Sequence, residues 1–513
     1  MTPILGLAAF WAACEPEDEV AGRAFANADG GVSTKEKPPG GDLADEQFPP
    51  ALLEPYTGPP INVYDNTVVG YLQLKARVAR VFADTGIGGD TEAYFASKLP
   101  LLGGADFKTE FTEARVVSQD FLLALDAVAK DACDRAAKNK TGPFAGADPE
   151  NVGTLGDTGL VTQLVQRMLF RAPVGSEAAD LVAFEKSLEP IATSKSSAWA
   201  GVCEVLVRHP DSLFTLPPSV SALSGPEKKR MQLTKLVLDL VGRPPTDAEL
   251  TALADKTVDE RVDALTGTPE FREFFFHRVR IRLESIGTPE SDEPARLWTY
   301  LVTHDAPMQD LLAADYTVDE SFNKVSRPPE HGPTGVLTMK GYIRSKAGLP
   351  HYNYAARVMT DFMGQLFEVP QDIVAQRVNA TATTTVMPKS VCVTCHGVLT
   401  PLATQRLRWA DDGTYHATDD AGAPIDDSDR NLVPDYPYKG QGMGAFATQA
   451  VRKERFFRQS FQALFLFFLG RQMRYAEDER TVYLAMWKTA FATHGNTRAL
   501  IKVVANLPSY LGN

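Results

Sequence analysis

Apolar residues recur at helical spacing along most of this chain. Leu72, Leu74, Val78 and Val81 fall close to a period of 3.6 residues, and later segments repeat this spacing towards the C-terminus. Such a period places apolar side chains on one face of a helix. Strand patterns are sparse and scattered, and no internal repeat is evident. We therefore predict a mainly α protein.

Stretches rich in proline and glycine divide the chain into segments. Because 513 residues exceed what one hydrophobic core accommodates, we expect a multi-domain helical protein. The predicted segments are, in chain order, a signal-like segment at 1–14, a disordered Pro/Gly/acidic linker at 15–60, an N-terminal helical domain at 61–225, a central helical domain at 226–325 and a C-terminal domain at 326–513.

Several helix ends carry recognisable signals. A helix from Glu227 should end at Gly242, because glycine is a common residue just past a helix C-terminus. Thr246 and Glu249 have the spacing of a capping box at the start of the next helix. The aromatic run Phe461–Leu469 is too short for a membrane span and predicts a buried core helix. In the C-terminal domain the predicted helices are 353–366, 446–469 and 478–492.

The charge and the hydropathy of the sequence argue against nucleic-acid binding and against a membrane-spanning helix. The chain has 52 Lys and Arg against 65 Asp and Glu, a net charge of −13. With no basic surface to release counterions, we expect no nucleic-acid partner. No apolar run reaches the roughly 18 residues of a membrane-spanning helix.

The N-terminus is similar to a bacterial lipoprotein signal. Ile4–Ala13 is apolar and ends in small residues, Cys14 follows, and an acidic run comes next. No Lys or Arg precedes the apolar stretch, and Trp11 stands where an aliphatic residue is usual. We predict export to the periplasm or cell surface, with lipid on Cys14 as the only membrane attachment. The alternative is a buried helix of a cytosolic protein.

The most specific motif is Cys392-Val393-Thr394-Cys395-His396. The pattern Cys-x-x-Cys-His is typical of c-type haem attachment. Cysteines three residues apart lie about one helical turn apart, so both thiols can reach the two vinyl groups of one porphyrin. The adjacent histidine then serves as the proximal iron ligand. We predict one covalent haem c per chain, held in a C-terminal domain like that of c-type cytochromes.

Three other interpretations of the motif remain open. A structural zinc site needs four ligands, and the chain has no second Cys-x-x-Cys pair. A thioredoxin-type redox pair needs a βαβ setting, which this helical neighbourhood does not predict. A plain Cys392–Cys395 disulfide would leave His396 without a role.

The remaining two of the five cysteines are Cys133 and Cys203. In an oxidising compartment two such cysteines tend to pair, so we predict a disulfide between them. Two separate buried thiols are the alternative.

The sequence after the motif resembles a known family. The stretch CVTCHGVLTPLATQRLRWADDGTY is similar to the haem-motif region of planctomycete-type secreted cytochrome-like proteins, which are also abundant in myxobacteria. Family members follow the motif with Asp-Pro-Leu-Gly-Phe and then with an aspartate and Gly-Arg. This chain has Thr400-Pro401-Leu402 at the first place and Asp411-Asp412-Gly413 at the second.

The resemblance extends over roughly residues 160–513, because further short pieces follow the family's order. These pieces are Met168–Pro173, Val205–Phe214, Leu311–Thr317, Gly335–Thr338, Gly422–Asp426 and Leu469–Arg471. The resemblance implies an exported, helical, haem-binding protein whose reaction is not established.

The sixth iron ligand has several candidates. Small c-type cytochromes often use a methionine in a loop before the C-terminal helix. Met443 lies in such a glycine-rich stretch, and its glycines would let the backbone approach a porphyrin closely. Met387, Met473, His416, another ligand or an open position are the alternatives.

Four other side chains could line a haem pocket. His331 and His351 lie near Pro and Gly residues, but we interpret each as a hydrogen-bonded structural histidine. Trp409 and Tyr415 follow the motif and could pack on the porphyrin or in an ordinary core.

Three functions fit these observations. The leading hypothesis is one-electron transfer through a six-coordinate haem to a redox protein that the sequence does not identify. A peroxidase-type or oxygenase-type haem enzyme would need an open iron position and usually a second haem. A surface-anchored structural or interaction protein is the third possibility, since the N-terminal half carries no catalytic motif.

Overall fold

The computed structural model describes residues 69–83, 85–86, 91–104, 117–215, 223–345, 350–367, 390–430, 436–474 and 479–512. Within these ranges it leaves out the side chains of residues 91–93, 345, 350 and 390–396. The predicted signal segment with Cys14, the predicted linker and Met387 lie outside the described residues.

The described chain is mainly helical, which confirms the predicted fold class at that level. Its one two-stranded sheet among the described residues pairs β1, Tyr316–Val318, with β2, Lys324–Ser326, in antiparallel register with Tyr316 opposite Ser326. The α-helices are α1 Tyr71–Val81, α2 Thr91–Lys98, α3 Gln119–Asn139, α4 Gly156–Leu169, α5 Glu177–Leu188, α6 Lys195–Val207, α7 Pro210–Leu213, α8 Gly225–Val241, α9 Asp247–Leu253, α10 Val258–Thr266, α11 Pro269–Leu283, α12 Pro289–Thr303, α13 Asp310–Ala313, α14 Lys340–Ser345, α15 Pro350–Met363, α16 Ser390–Gln405, α17 Gly442–Ala450, α18 Glu454–Leu469, α19 Arg480–Ala492, α20 Thr497–Ala505 and α21 Pro508–Leu511.

The chain forms two compact units. The first contains Ile61–Glu284, Leu464–Gln472 and Ile501–Asn513, and the second contains Ser285–Ala463 and Met473–Leu500. These units do not coincide with the three predicted helical domains, whose bounds stay a prediction.

The predicted helix caps in the first unit are present. Gly242 ends α8 with φ of 76°, a left-handed conformation that favours glycine. The Oγ1 atom of Thr246 accepts from the amide of Glu249 at 3.1 Å, and the Glu249 carboxylate accepts from the amide of Thr246 at 2.6 Å. This reciprocal pair is the predicted capping box, and it starts α9.

The core of the first unit lies around α3 and α6. Ser118 caps α3, since its Oγ accepts from the amide of Phe121 at 3.1 Å. Apolar residues of α3 at helical spacing, among them Leu125 and Val128, are then fully buried. Cys133 of α3 and Cys203 of α6 form a disulfide bond, which is the pairing that the sequence predicts.

Removing this disulfide should destabilise the first unit. The bond closes a loop across a sequence separation of 70 residues, so its loss should lower the free energy of unfolding by about 4 kcal/mol. Denaturant unfolding of the oxidised and reduced protein measures the difference. The Cys133→Ala/Cys203→Ala variant should resemble the reduced protein. Equal stability of the oxidised and reduced forms would contradict the prediction.

Helix α5 buries an acidic residue. Glu185 has no exposed surface, and neither of its carboxyl oxygens has a hydrogen-bond partner among the described residues. Helix α5 packs against α4 and α6. Burial raises the pKa of Glu185, and the neighbouring carboxylates of Glu189 and Asp157 raise it further against the opposing effect of Lys195 and Lys186. The ionised form of Glu185 is therefore the unfavourable one.

Glu185 should make the first unit less stable as pH rises. A carboxyl group whose pKa is raised on folding contributes stability below its unfolded pKa of about 4.3 and loses it as pH rises through the folded value. In Glu185→Gln this loss should disappear, so stability should fall less between about pH 4 and pH 8. Asp180→Asn, an exposed change on the same helix at a residue that is not among the charges shifting the pKa of Glu185, is the control. Parallel stability curves for wild type and Glu185→Gln would refute the assignment.

In the second unit the predicted helix 446–469 is wrong, because two helices occupy this region. Helix α17 ends at Ala450, a turn closes with the amide of Lys453 donating to the carbonyl of Ala450 at 3.0 Å, and α18 begins at Glu454. The charges favour this break. Arg452 and Lys453 follow the negative end of α17, and Glu454 occupies the positive start of α18.

The aromatic run of α18 confirms the prediction of a buried core helix. Phe461 and Phe465 are fully buried, and Phe468 is nearly so. None of the described helices has both the length and the apolar character to span a bilayer.

Candidate functional site

The Cys-x-x-Cys-His motif lies in the first turns of helix α16, Ser390–Gln405. Positions 392, 395 and 396 are separated by three and four residues on this helix, so their Cα atoms lie along one side of it. The helical backbone agrees with the predicted spacing of about one turn between the two cysteines. The side chains of these three residues lie outside the description.

Helix α16 packs against α15 and α17. Its second half supplies the apolar contact surface, because Leu399, Leu402 and Ala403 are buried. The packing brings α17, which carries Met443, to the helix that carries the motif.

Met443 is buried, with 2% of its surface exposed. It lies in the first turn of α17, so the predicted loop ends one turn earlier than expected. Gly440 and Gly442 precede it with φ of 132° and 71°. A Cβ atom on Gly442 would lie 2.9 Å from Oδ2 of Asp427, so glycine is required there for space as well as for backbone conformation.

Asp427 fixes the start of α17. Its carbonyl accepts from the amide of Gly442 at 2.9 Å, and its Oδ1 accepts from Nε2 of Gln441 at 3.0 Å. Its Oδ2 pairs with Nε of Arg408 at 2.9 Å. Because Arg408 follows α16 closely in sequence, this ion pair connects the end of the motif helix with the segment before Met443.

The alternative sixth ligands differ in their surroundings. Met473 is also buried, at 4% exposure, and its backbone is held by Gln462 of α18. Its amide donates to Oε1 of Gln462 at 2.6 Å, and its carbonyl accepts from Nε2 of Gln462 at 3.2 Å. Of the predicted sixth ligands that the structure describes, Met443 and Met473 are buried and His416 is exposed.

His331 and His351 are both hydrogen-bonded structural histidines. Nδ1 of His351 lies 3.0 Å from Nη1 of Arg406, and Nδ1 of His331 lies 2.9 Å from Nη2 of Arg327. Arginine can only donate, so each Nδ1 accepts and the ring proton of the neutral histidine is on Nε2. A protonated Nε2 cannot ligate iron.

The pKa shifts of these two histidines favour their neutral form. Burial lowers the pKa of His351, and the Arg406 guanidinium lowers it further. Burial and Arg327 lower the pKa of His331 in the same way. Both rings therefore stay neutral around pH 7, where they hold their arginines rather than a metal.

Trp409 and Tyr415 pack on each other. Their ring centroids are 5.2 Å apart at an interplanar angle of 63°, and Trp409 also lies edge-on to His331 at 4.7 Å. Backbone pairing between Trp409 and Tyr415 closes the turn around Gly413. These contacts are those of an ordinary core.

A second polar cluster, in the first unit, was not predicted. Nε of the buried Arg171 donates to Oδ2 of Asp211 at 2.6 Å, and its two terminal nitrogens donate to Glu177 at 2.6 and 2.8 Å. His209 accepts from the amide of Asp211 through Nδ1 at 3.1 Å. Arg171, Glu177 and His209 border an open cavity of about 380 Å³. In the sequence, one indication of this cluster is that Arg171 lies in the family-like stretch Met168–Pro173 and Asp211 in the stretch Val205–Phe214.

No group of three or more His, Cys, Asp or Glu side chains within the described part of the chain is arranged to hold a metal ion. In comparisons with known proteins, no family model, no curated protein and no solved structure matches this chain. The resemblance to the secreted cytochrome-like family thus stays a prediction.

Proposed function

We propose that this protein is an exported electron carrier that binds one haem c covalently. Cys392 and Cys395 form the two thioether bonds, His396 is the proximal ligand and Met443 is the distal ligand. Lipid on Cys14 anchors the chain at the periplasmic or outer face of a bacterial membrane, where it exchanges electrons with another redox protein.

The observation that carries this proposal is the position of the motif on α16 and the packing of α16 against α17, where Met443 is buried. Thiols, an imidazole and a thioether are the donor set of a low-spin c-type site. The two glycines before Met443 supply the positive φ values with which the chain enters α17. The residues present thus fit the group.

When bound, haem supplies reversible one-electron chemistry at iron. The protein's residues determine how that chemistry is used. His396 and Met443 would both bind the iron, which would leave no position for oxygen or peroxide. The thioether of Met443 favours the reduced state and raises the reduction potential.

Covalent attachment is the first property to test. Expressed with a cytochrome c maturation system, the wild-type protein should keep its haem through denaturing electrophoresis. Cys395→Ala should lose most covalent haem, because one thioether bond and its local geometry are removed. Cys203→Ala is the matched control, since it removes a cysteine of the first unit and should leave the haem in place. Mass spectrometry that finds zinc, or two free thiols and no haem, would overturn the proposal.

The identity of the distal ligand separates a carrier from an enzyme. The oxidised wild-type protein should show the weak methionine-to-iron absorption at the red end of the spectrum. Met443→Ala should remove that band, lower the potential and open the iron to carbon monoxide. Met473→Ala, which changes the other buried methionine among the predicted ligands, should leave all three properties unchanged. Rapid binding of carbon monoxide by the wild-type protein would instead favour a haem enzyme.

A further inference from the structure

Gln405 is a fully buried amide at the end of the motif helix. Its Nε2 donates to the carbonyl of Tyr438 at 2.8 Å and to that of Gly440 at 3.2 Å. Its Oε1 accepts from the hydroxyl of Tyr436 at 2.8 Å. All three bonds are made to residues 436–440, the stretch directly before Met443.

These bonds add to others that hold the same backbone, since the carbonyl of Lys439 accepts from Nε2 of Gln449 at 2.6 Å. Gly440 has φ of 132°, which almost only glycine adopts, so this residue is intrinsically free to take many conformations. Its carbonyl is held from two sides, by Nε2 of Gln405 and by the amide of Asp429 at 3.0 Å. Two residues later, Asp427 holds Gly442 at the start of α17.

We propose that Gln405 is a positioning residue for the distal ligand. Helix α16 carries the motif near its start and Gln405 at its end, so one rigid element would hold the proximal histidine directly and Met443 through the 436–442 segment. This role rests on the proposed function, since it concerns the delivery of Met443 to iron. Gln405 itself touches neither the iron nor a substrate.

The test uses the full-length protein with haem attached and the variant Gln405→Met. Methionine has nearly the volume of glutamine but cannot donate to two carbonyls. Covalent haem should remain, the methionine-to-iron band should weaken, and the fraction of protein that binds carbon monoxide should rise roughly tenfold. A change confined to overall stability, with the band intact, would overturn the positioning role.

Gln462→Met is the matched control, because Gln462 holds the backbone of Met473 through an equivalent pair of bonds. It should leave the band unchanged. If Gln462→Met removes the band and Gln405→Met does not, then Met473 is the ligand and the role of Gln405 is overturned.

Gln405→Glu separates hydrogen bonding from packing, because its ability to donate a hydrogen bond depends on pH while its size does not. A protonated glutamic acid can donate one hydrogen bond to the carbonyls of Tyr438 and Gly440, whereas the carboxylate can only accept. The band of this variant should therefore be strong at low pH and fade as pH rises, over a range where the wild-type band is constant. A pH-independent band would count against the mechanism.

The outcomes separate the two proposals. If the wild-type protein carries no covalent haem, the proposed function and the positioning role of Gln405 are both wrong. Covalent haem in wild type and Gln405→Met, with an unchanged band in both, overturns only the role of Gln405. Hydrogen exchange of haem-free protein adds an independent readout, because Gln405→Met should speed exchange at the amide of Gly442 and Gln462→Met should not.

Discussion

A buried amide is stable only when its hydrogen bonds are made, and Gln405 makes all three of its bonds to the chain before Met443. This requirement sets the path of residues 436–442, since any other path would leave a buried donor without an acceptor. Asp427 adds a second requirement by joining Arg408 to Gln441 and Gly442. The position of α17 relative to α16 follows from these contacts, and so does the burial of Met443.

The parts of the fold that could be predicted from sequence are those with local causes. Gly242 at the end of α8 and the Thr246–Glu249 box depend on neighbouring residues alone, and both are present. The break between α17 and α18 has no glycine or proline to mark it. Its charges are a weak signal, and the apolar period continues across it. Met443 lies in a helix rather than a loop, because α17 already begins at Gly442.

Buried charges are the features that could not be predicted from the sequence, because their burial depends on packing between segments that are distant in the chain. Lys235 is fully buried on α8, with Nζ 2.8 Å from Oδ2 of Asp239 and 4.2 Å from the ring centroid of Tyr510 near the C-terminus. A helical lysine usually faces solvent. Burial raises the pKa of Tyr510 well above its usual value, so its hydroxyl stays protonated and donates to Asp239 at 2.9 Å. Arg171 and Glu185 are further examples in the same unit.

For the haem proposed above, a chemical argument distinguishes His331 and His351 from the methionines as ligands. An imidazole binds iron through a nitrogen lone pair, and the Nδ1 lone pairs of His331 and His351 are already used by Arg327 and Arg406. To bind through Nε2, either ring would have to move its proton to Nδ1 and give up the hydrogen bond that it accepts from an arginine. Arg406 is almost completely buried, which makes this exchange especially unfavourable. Thioethers carry no such competing bond, and of the two buried methionines among the predicted ligands, Met443 is the one whose preceding segment is hydrogen-bonded to the motif helix.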